Sequence, residues 1–256
     1  MKPESKPLAG RRIVVTRPAG MAEGLAQRIR EAGGEPLLVP AIEIQPLADP
    51  APFQALARRL DEFDLAIFVS RNAVKSALAL LAGRPWPARL QVATVGQGSR
   101  EELDHFGFSH VIAPAAQSDS ESLLALPALA DVKGRRVVIF RGDGGRELLG
   151  EELRKRGALV EYAACYRRVR PSGEGLAALW QRGVDAVTVS SAEGLANFLA
   201  MLGDGAPQKL AAVPLVVPHE RVAREAARRG LPRAVVAGPR DADVAAALVA
   251  YFGGAR

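Results

Sequence analysis

Apolar residues occur along the chain in short continuous runs, and longer segments with helical spacing separate these runs. Met21, Leu25 and Ile29, for example, recur on one helix face after the first run. Continuous rather than alternating apolar runs are typical of parallel strands that helices cover on both faces. The predicted strands are Ile13–Thr16, Leu37–Pro40, Leu65–Ser70, Val92–Val95, Val111–Ile112, Val137–Phe140, Val160–Tyr162, Val184–Val189, Pro214–Val217 and Ala234–Val236.

The same alternation of strand and helix patterns occurs twice. "GRRIVVTRPAGMAEGLAQRIREAGG" begins at Gly10, and "GRRVVIFRGDGGRELLGEELRKRGA" begins at Gly134. The segments that start at Asp64 and Asp185 form a further matching pair. All recur at a nearly constant offset of about 120 residues, which indicates an internal duplication. The expected fold class is therefore α/β, with two flavodoxin-like, doubly wound parallel-sheet domains.

Arginine and glycine occupy corresponding positions at the ends of two predicted strands. Arg17 and Arg141 end the first strand of each half, and a turn that contains glycine follows each of them. In parallel α/β sheets the carboxyl ends of the strands share one edge, where helix N-termini present backbone N–H groups. Guanidinium groups at this edge predict an anion site. Tight turns with a solvated arginine are the alternative, and the phosphate-loop and dinucleotide fingerprints are both absent.

Small polar residues follow several other predicted strands. These turns read "FVSRN", "VGQGSREEL" and "VSSAEG". Their hydroxyl and amide groups are candidates for binding the same anion, and helix N-capping is the alternative role for each. The candidate binding residues from this pattern are Arg17, Ser70, Asn72, Gly96, Ser99, Arg141, Gly142, Ser190 and Ser191.

The net charge of +6 is compatible either with nucleic acid or with a small polyanion as partner. Aromatic residues make up only 5% of the chain, and no basic stretch is interleaved with the aromatic residues that base stacking requires. Arginines recur instead where strands end. This pattern favours a small anionic ligand over nucleic acid.

Cysteine and histidine content restricts the chemistry further. Cys165 is the only cysteine, so an internal disulfide is excluded and a reducing compartment is expected. The three histidines lie far apart with no metal-ligand spacing, which predicts no metal site. The chain has no apolar span and no secretion leader, so we expect a cytoplasmic protein without membrane contact.

Three segments together resemble the uroporphyrinogen-III synthase family in its bacterial form. They are "RGDGGRELLGEELRKRGALVEYAACYRR", "RIVVTRPAG" and "VGQGSREEL". The resemblance implies an enzyme of tetrapyrrole and heme biosynthesis, a lyase that cyclises hydroxymethylbilane to uroporphyrinogen III. Water is lost and ring D is inverted, and neither metal nor organic cofactor takes part. Because this substrate carries eight carboxylates, the resemblance also accounts for the basic strand ends.

The family resemblance implies a crossed domain organisation, in which each domain takes its opening strand and helix from the other half. The expected domains are residues 1–40 with 171–256, and residues 47–163. Linkers at about 41–46 and 164–170 are expected to pair as a two-stranded connector. The substrate is expected in the cleft between the domains. The resemblance also implies a monomer, with possible transient contact with neighbouring pathway enzymes.

The family resemblance implies a catalytic role for Tyr166, the tyrosine that ends the "ACY" run, as a weak acid near the departing hydroxyl. Packing of the aromatic ring against the linker is the alternative. In the second half, the usual Gly-Pro-Thr-Thr-like turn is replaced by "PHER". His219 or Arg221 is the candidate for the substrate contact made there by a hydroxyl. A two-lobed anion-binding module without catalysis is the alternative function.

Overall fold

The computed structural model of the chain describes residues 6–115, 119–145 and 147–254. The described strands are β1 (Arg12–Val15), β2 (Glu35–Leu38), β3 (Glu43–Gln45), β4 (Leu65–Phe68), β5 (Gln91–Thr94), β6 (Val111–Ile112), β7 (Arg136–Gly142), β8 (Leu159–Val169), β9 (Ala186–Thr188), β10 (Leu215–Val217) and β11 (Ala234–Val236). The predicted strands therefore lie close to the observed ones, and the main differences are at β3 and β8.

Helices connect most successive strands, as doubly wound sheets require. The described α-helices are α1 (Glu23–Glu31), α2 (Ala51–Ala57), α3 (Arg71–Leu81), α4 (Gln97–His105), α5 (Ser120–Leu124), α6 (Leu148–Lys155), α7 (Leu176–Gln181), α8 (Ala192–Leu202), α9 (Ala206–Ala211), α10 (Glu220–Arg228) and α11 (Asp241–Gly253). Among the described residues, none of these helices has the length and hydropathy to cross a bilayer.

The chain divides into two compact units. Unit 1 contains the chain up to Glu43 and again from Val169 onward, and unit 2 contains Ile44–Arg168. Unit 1 is built on a five-stranded parallel sheet with the order β11-β10-β9-β1-β2. Strand β1 lies between β2 and β9, so Val14 is opposite both Leu37 and Val187.

Unit 2 is built on a six-stranded sheet with the order β3-β8-β7-β4-β5-β6. Strands β8 to β6 are parallel, and they repeat the order of unit 1 with β7 in the place of β1. This is the flavodoxin-like order, in which neighbouring connections reverse direction at the central strand pair. The expected α/β class with parallel sheets is confirmed. The reversal falls between β1 and β9 in unit 1 and between β7 and β4 in unit 2.

Strand β8 is longer than the sequence pattern predicts. The predicted strand stops at Tyr162, whereas β8 runs on to Val169, through most of the segment expected as a linker. On the side away from β7, strand β8 pairs with β3. Arg167 adds two side-chain hydrogen bonds there, to the carbonyl of Pro46 at 3.2 Å and to Oε1 of Gln45 at 2.7 Å. These pairing partners keep a polar sequence extended.

Both faces of each sheet are apolar, which explains the continuous apolar runs in the sequence. In β4, Ala66 and Phe68 belong to one core cluster, and Leu65 and Ile67 belong to the cluster on the other face. Phe68 stacks on Phe140 of β7 with the ring centroids 4.7 Å apart. The central strand pair therefore also supplies the closest ring pair among the described residues of unit 2.

Phe140→Ala should destabilise unit 2 by about 3–5 kcal/mol, because it removes a fully buried ring and leaves a cavity. Chemical denaturation followed by circular dichroism measures the effect. Tyr251→Ala is the matched control, since this ring is 47% exposed, and it should cost about 1 kcal/mol or less. Equal losses of stability in the two variants would contradict the central position of Phe140.

Candidate active site

The carboxyl edge of the sheet in unit 1 contains a pocket of about 240 Å³ at the reversal between β1 and β9. Three predicted site residues, Arg17, Ser190 and His219, line this pocket together with apolar side chains such as Val216 and Val244. Strand ends and helix N-termini meet here, as expected for a ligand site in a doubly wound sheet. The structure therefore brings these three polar residues together.

The two other predicted residues of this edge have different surroundings. Ser191 is the N-cap of α8, and its hydroxyl oxygen accepts a hydrogen bond from the N–H of Gly194 at 3.0 Å. Arg221 is exposed in the first turn of α10 and is not among the residues that line the 240 Å³ pocket. Capping thus accounts for the position of Ser191, although its hydroxyl proton can still be donated elsewhere.

Arg17 forms an ion pair and hydrogen bond with Asp241, the first residue of α11. The carboxylate lies against Gly24 of α1, where a β-carbon would collide with it. A carboxylate at a helix N-terminus is also stabilised by the helix dipole. Asp241 therefore pairs with the guanidinium that the sequence pattern predicts as part of an anion site. A ligand carboxylate would have to exchange with it.

The carboxyl edge of the sheet in unit 2 brings Ser70 and Tyr166 together. Ser70 caps α3, accepting a hydrogen bond from the N–H of Ala73 at 3.0 Å. Its Oγ lies 3.3 Å from the hydroxyl of Tyr166, and either hydroxyl can be the donor. Ser70 follows β4 and Gly142 ends β7, and these are the two strands at which this sheet reverses.

Tyr166 is buried and lies directly on Gly142. A β-carbon at Gly142 would be only 2.9 Å from Cε2 of the tyrosine ring, so this close approach requires glycine. The register between β7 and β8 shifts here, and Gly142 pairs with Tyr166 after Arg141 has paired with Ala164. The shift leaves Cys165 free to bond the carbonyl of Arg141 through Sγ at 3.1 Å. Burial raises the pKa of this thiol to about 12, so it stays protonated.

Three other predicted residues of unit 2 lie on the adjacent helices. Gly96 is the N-cap of α4, and Ser99 is buried in the first turn of that helix. Asn72 is half-buried in the first turn of α3, two positions after the capping serine. All three therefore stand at helix N-termini on the same edge as Ser70.

Arg141 faces the interior of the protein. Its guanidinium pairs with Glu147 at 2.8 Å and donates to the carbonyl of Gly144 at 3.2 Å. It also lies 4.7 Å from the centre of the Tyr162 ring. Within the described residues, its buried Nη2 has no hydrogen-bond partner. These contacts fix the glycine turn after β7, so the buried side chain of Arg141 stabilises the conformation of this loop.

The carboxylate of Glu147 completes the support of this turn. The hydrogen bond with Tyr162, followed by that with Arg141, holds the pKa of Glu147 below its usual value. Burial, followed by the neighbouring Glu147, raises the pKa of Tyr162. The Tyr162 ring in turn packs on α6 at Gly150, where a β-carbon would be 2.7 Å from Cζ of the ring.

Asp241, Glu147 and Tyr162 contribute to these edges without having been predicted from the sequence. Asp241 is 224 positions from Arg17, and no local pattern links the two residues. Glu147 could have been suspected, because it stands six positions after Arg141 at the start of a helix. The described residues contain no group of three or more histidine, cysteine, aspartate and glutamate side chains placed to hold a metal ion.

Comparison with known proteins assigns this chain to a family. The family model for uroporphyrinogen-III synthase HemD matches residues 23–246. The uroporphyrinogen-III synthase of Salmonella typhimurium is 33% identical over 237 residues, covering 90% of this chain and 96% of that protein. The protein of the same name from Escherichia coli strain K12 matches with the same identity and coverage. The chain belongs to the uroporphyrinogen-III synthase family.

Family membership gives the chain its activity as a cyclising lyase of porphyrin and heme biosynthesis. The fold is also that of a solved uroporphyrinogen III synthase. A mutant of the protein from the extremely thermophilic bacterium Thermus thermophilus superposes with a TM-score of 0.61, covering 94% of this chain and 97% of that chain. The two sequences are 20% identical, so this likeness concerns the fold.

Asp241→Asn should lower KM for the substrate up to about fivefold, because it releases Arg17 from a partly exposed ion pair. Steady-state kinetics at low ionic strength measures this effect. Asp243→Asn is the matched control, since it lies in the same turn and pairs with Arg240 instead. A higher KM in Asp241→Asn would mean that the aspartate orients Arg17 and does not compete with the substrate.

Glu147→Gln should lower thermal stability at pH 7 and lose this effect in acid. The depressed pKa of Glu147 means that its carboxylate stabilises the folded state above the unfolded value of about 4.3. This contribution disappears as the pH falls through the lower pKa of the folded state. Thermal denaturation from pH 7 to pH 3 should show the two curves converging. Glu151→Gln, in the same helix, is the control, and a difference independent of pH would contradict the prediction.

Proposed function

We propose that this chain closes hydroxymethylbilane to uroporphyrinogen III, with loss of water and inversion of ring D, using residues at the carboxyl edges of both sheets. The observation that carries this proposal is the contact between Ser70 and Tyr166 above Gly142, at the reversal of the sheet in unit 2. It places two hydroxyl donors where doubly wound sheets bind ligands. Family membership supplies the reaction type.

Carboxylates of the substrate are bound by donors distributed over the two edges. In unit 1 the donors are Arg17, Ser190 and His219 around the 240 Å³ pocket, with Ser191 and Arg221 close by in sequence. In unit 2 they are the hydroxyls and helix N-termini at Ser70, Asn72, Gly96 and Ser99, and the turn that Arg141 supports at Gly142. Many weak donors suit an extended polyanion, and removing one hydroxyl, as in Ser99→Ala, costs about 1 kcal/mol.

Tyr166 acts as the hydrogen-bond donor to the hydroxyl that leaves. The hydroxyl oxygen of Ser70 accepts from the N–H of Ala73, so its own proton is available to donate to the Tyr166 oxygen. A phenol that accepts a hydrogen bond is a stronger donor in turn, particularly in a buried setting. This role requires only that the phenol keeps its proton until the hydroxyl leaves.

The chemical step breaks the bond between the hydroxymethyl carbon and its oxygen. The oxygen leaves with the bonding electrons and takes up a proton, so water departs and an azafulvene cation remains. The substituted carbon of ring D then attacks this cation and forms the spirocyclic pyrrolenine implied by the family resemblance. The bond from that carbon to the bridge carbon of ring C breaks, and the free α-carbon of ring D bonds to the bridge carbon. Loss of the proton from this α-carbon gives the neutral, inverted macrocycle. Because the cation forms readily and also closes without enzyme, the protein contributes mainly by imposing geometry.

Tyr166→Phe should lower the rate of ring closure by roughly 10- to 100-fold, the low end of general acid catalysis. The ring remains on Gly142, so the protein should stay folded. Slow enzymatic closure then competes with spontaneous closure, and the uninverted isomer should accumulate. Chromatography of the oxidised products gives the isomer ratio, and stopped-assay kinetics gives the rate.

Tyr162→Phe is the matched control for Tyr166→Phe, because it removes a phenol from the same strand without touching Ser70. It should keep the wild-type isomer ratio. A folded Tyr166→Phe variant with unchanged rate and isomer ratio would assign Tyr166 to packing alone. A wild-type protein that binds hydroxymethylbilane and yields only the uninverted isomer would favour the alternative, an anion-binding module without catalysis.

We also infer that the enzyme works in the cytoplasm as a monomer, with transient contacts to enzymes that supply its substrate or consume its product. The single, buried, protonated cysteine supports a reducing compartment. The two compact units support a domain assignment of 1–40 with 171–256, and 47–163, and the pairing of β3 with β8 supports a two-stranded connector. Light scattering of the purified protein tests the monomer.

A further inference from the structure

A second and larger pocket lies at the opposite edge of the sheet in unit 2. Its volume is about 780 Å³, and it is lined by residues of segments 86–92 and 106–112 and by Arg100 of α4. Strands β5 and β6 are parallel and both begin here, with Val92 opposite Val111. Ser70 and Gly142 lie instead at the carboxyl ends of β4 and β7. The second pocket is therefore separate from the edge that carries Tyr166.

Aromatic side chains form the apolar part of the second pocket. Trp86 and Phe108 meet edge to face with their ring centroids 5.1 Å apart, and the indole N–H of Trp86 donates to the carbonyl of Leu90 at 3.0 Å. These contacts fix both rings in place. Phe106, on the same lining, is 51% exposed. The three rings therefore give the second pocket an aromatic lining that is partly exposed.

The polar part of the second pocket is basic. Arg89, Arg100 and His110 line it, and no aspartate or glutamate is among the described residues that do so. Arg89 is held by hydrogen bonds from its guanidinium to the carbonyl of Asp61. Within the described part of the chain, neither Arg100 nor His110 forms an ion pair. Positive charge beside apolar rings attracts a ligand that is both aromatic and anionic.

We propose that this second pocket binds a planar tetrapyrrole carboxylate at a site distinct from ring closure. The volume lies in the range of pockets that take drug-sized ligands. Rings Trp86, Phe106 and Phe108 supply apolar surface for a flat macrocycle, and Arg89 and Arg100 supply donors for its carboxylates. The choice of a tetrapyrrole rests on the proposed function, because dioxygen oxidises the macrocycle that the enzyme makes, by removal of six electrons, to a flat porphyrin with the same carboxylates. The site itself rests on the pocket alone.

The test uses uroporphyrin I, the oxidised macrocycle, which the enzyme cannot cyclise. The chain has two tryptophans, so Trp180→Phe leaves Trp86 as the only reporter. Titration into this parent protein should quench Trp86 fluorescence to saturation. Arg100→Ala and Phe106→Ala, each in the parent, should raise Kd about tenfold, as expected for one charge-assisted hydrogen bond or one stacked ring. Turnover of hydroxymethylbilane and the isomer ratio should stay at parent values.

Matched controls separate the second pocket from general surface effects. Arg224→Ala and Tyr251→Ala remove an exposed arginine and a ring of similar exposure in unit 1, and they should leave Kd unchanged. A porphyrin of the same size with cationic N-methylpyridinium substituents should bind at least tenfold more weakly than uroporphyrin I. Equal binding of the two porphyrins would overturn the role of charge and with it the proposal.

Three other results would overturn the proposal. The first is the absence of saturable quenching. The second is a Kd that Arg17→Ala raises while Arg100→Ala and Phe106→Ala do not, since the porphyrin would then occupy the reaction edge only. The third is displacement of uroporphyrin I by a glutamate-rich peptide of higher affinity, which would make the pocket a docking surface for protein. If the wild-type protein bound uroporphyrin I but did not turn over hydroxymethylbilane, the proposed function would be refuted and the second pocket would remain supported as a binding site.

Discussion

The insertion of β7 between β4 and β8 is the pairing on which unit 2 and its candidate site depend. It places Phe140 in the core against Phe68, and it carries Arg141 and Gly142 to the point where the sheet reverses. The register shift that follows turns Tyr166 onto Gly142 and within reach of Ser70. Core stability, the shape of the glycine turn and the position of the phenol therefore all depend on one parallel strand.

Electrostatics at both edges is set by arginines that already have carboxylate partners. Arg17 is paired with Asp241, and Arg141 is paired with Glu147. A guanidinium that is only partly exposed is costly without a partner, so these pairs keep the empty protein stable. They also mean that the net charge of +6 does not measure the affinity of the edges for anions. An anion that binds at Arg17 has to exchange with the carboxylate of Asp241, and Arg141 contacts the backbone of its own turn.

Local patterns in the sequence predicted the fold class and the candidate edges, because strands covered on both faces and turns rich in glycine have a local signature. Features that depend on contacts between distant parts of the chain could not be predicted from local patterns. The extension of β8 depends on β3 as a pairing partner, and the contact between Arg17 and Asp241 joins the two ends of the chain. The burial of Arg141 depends on the ring of Tyr162 and on Gly150 beneath that ring. None of these partners is visible from the arginines themselves.

The duplication explains why the two edges are not equivalent in chemistry. Ser70 and Ser191 correspond, and each caps the helix that follows its strand. The offset that aligns Gly10 with Gly134 also aligns Ile42 with Tyr166. Ile42 is buried, and its Cδ1 lies 4.0 Å from the point where a β-carbon of Gly194 would be, close to the hydroxyl of Ser191. Unit 1 thus presents an alkyl group where unit 2 presents a phenol. A phenol therefore occurs at only one of the two corresponding positions, which is consistent with the proposal that a single hydroxyl leaves there.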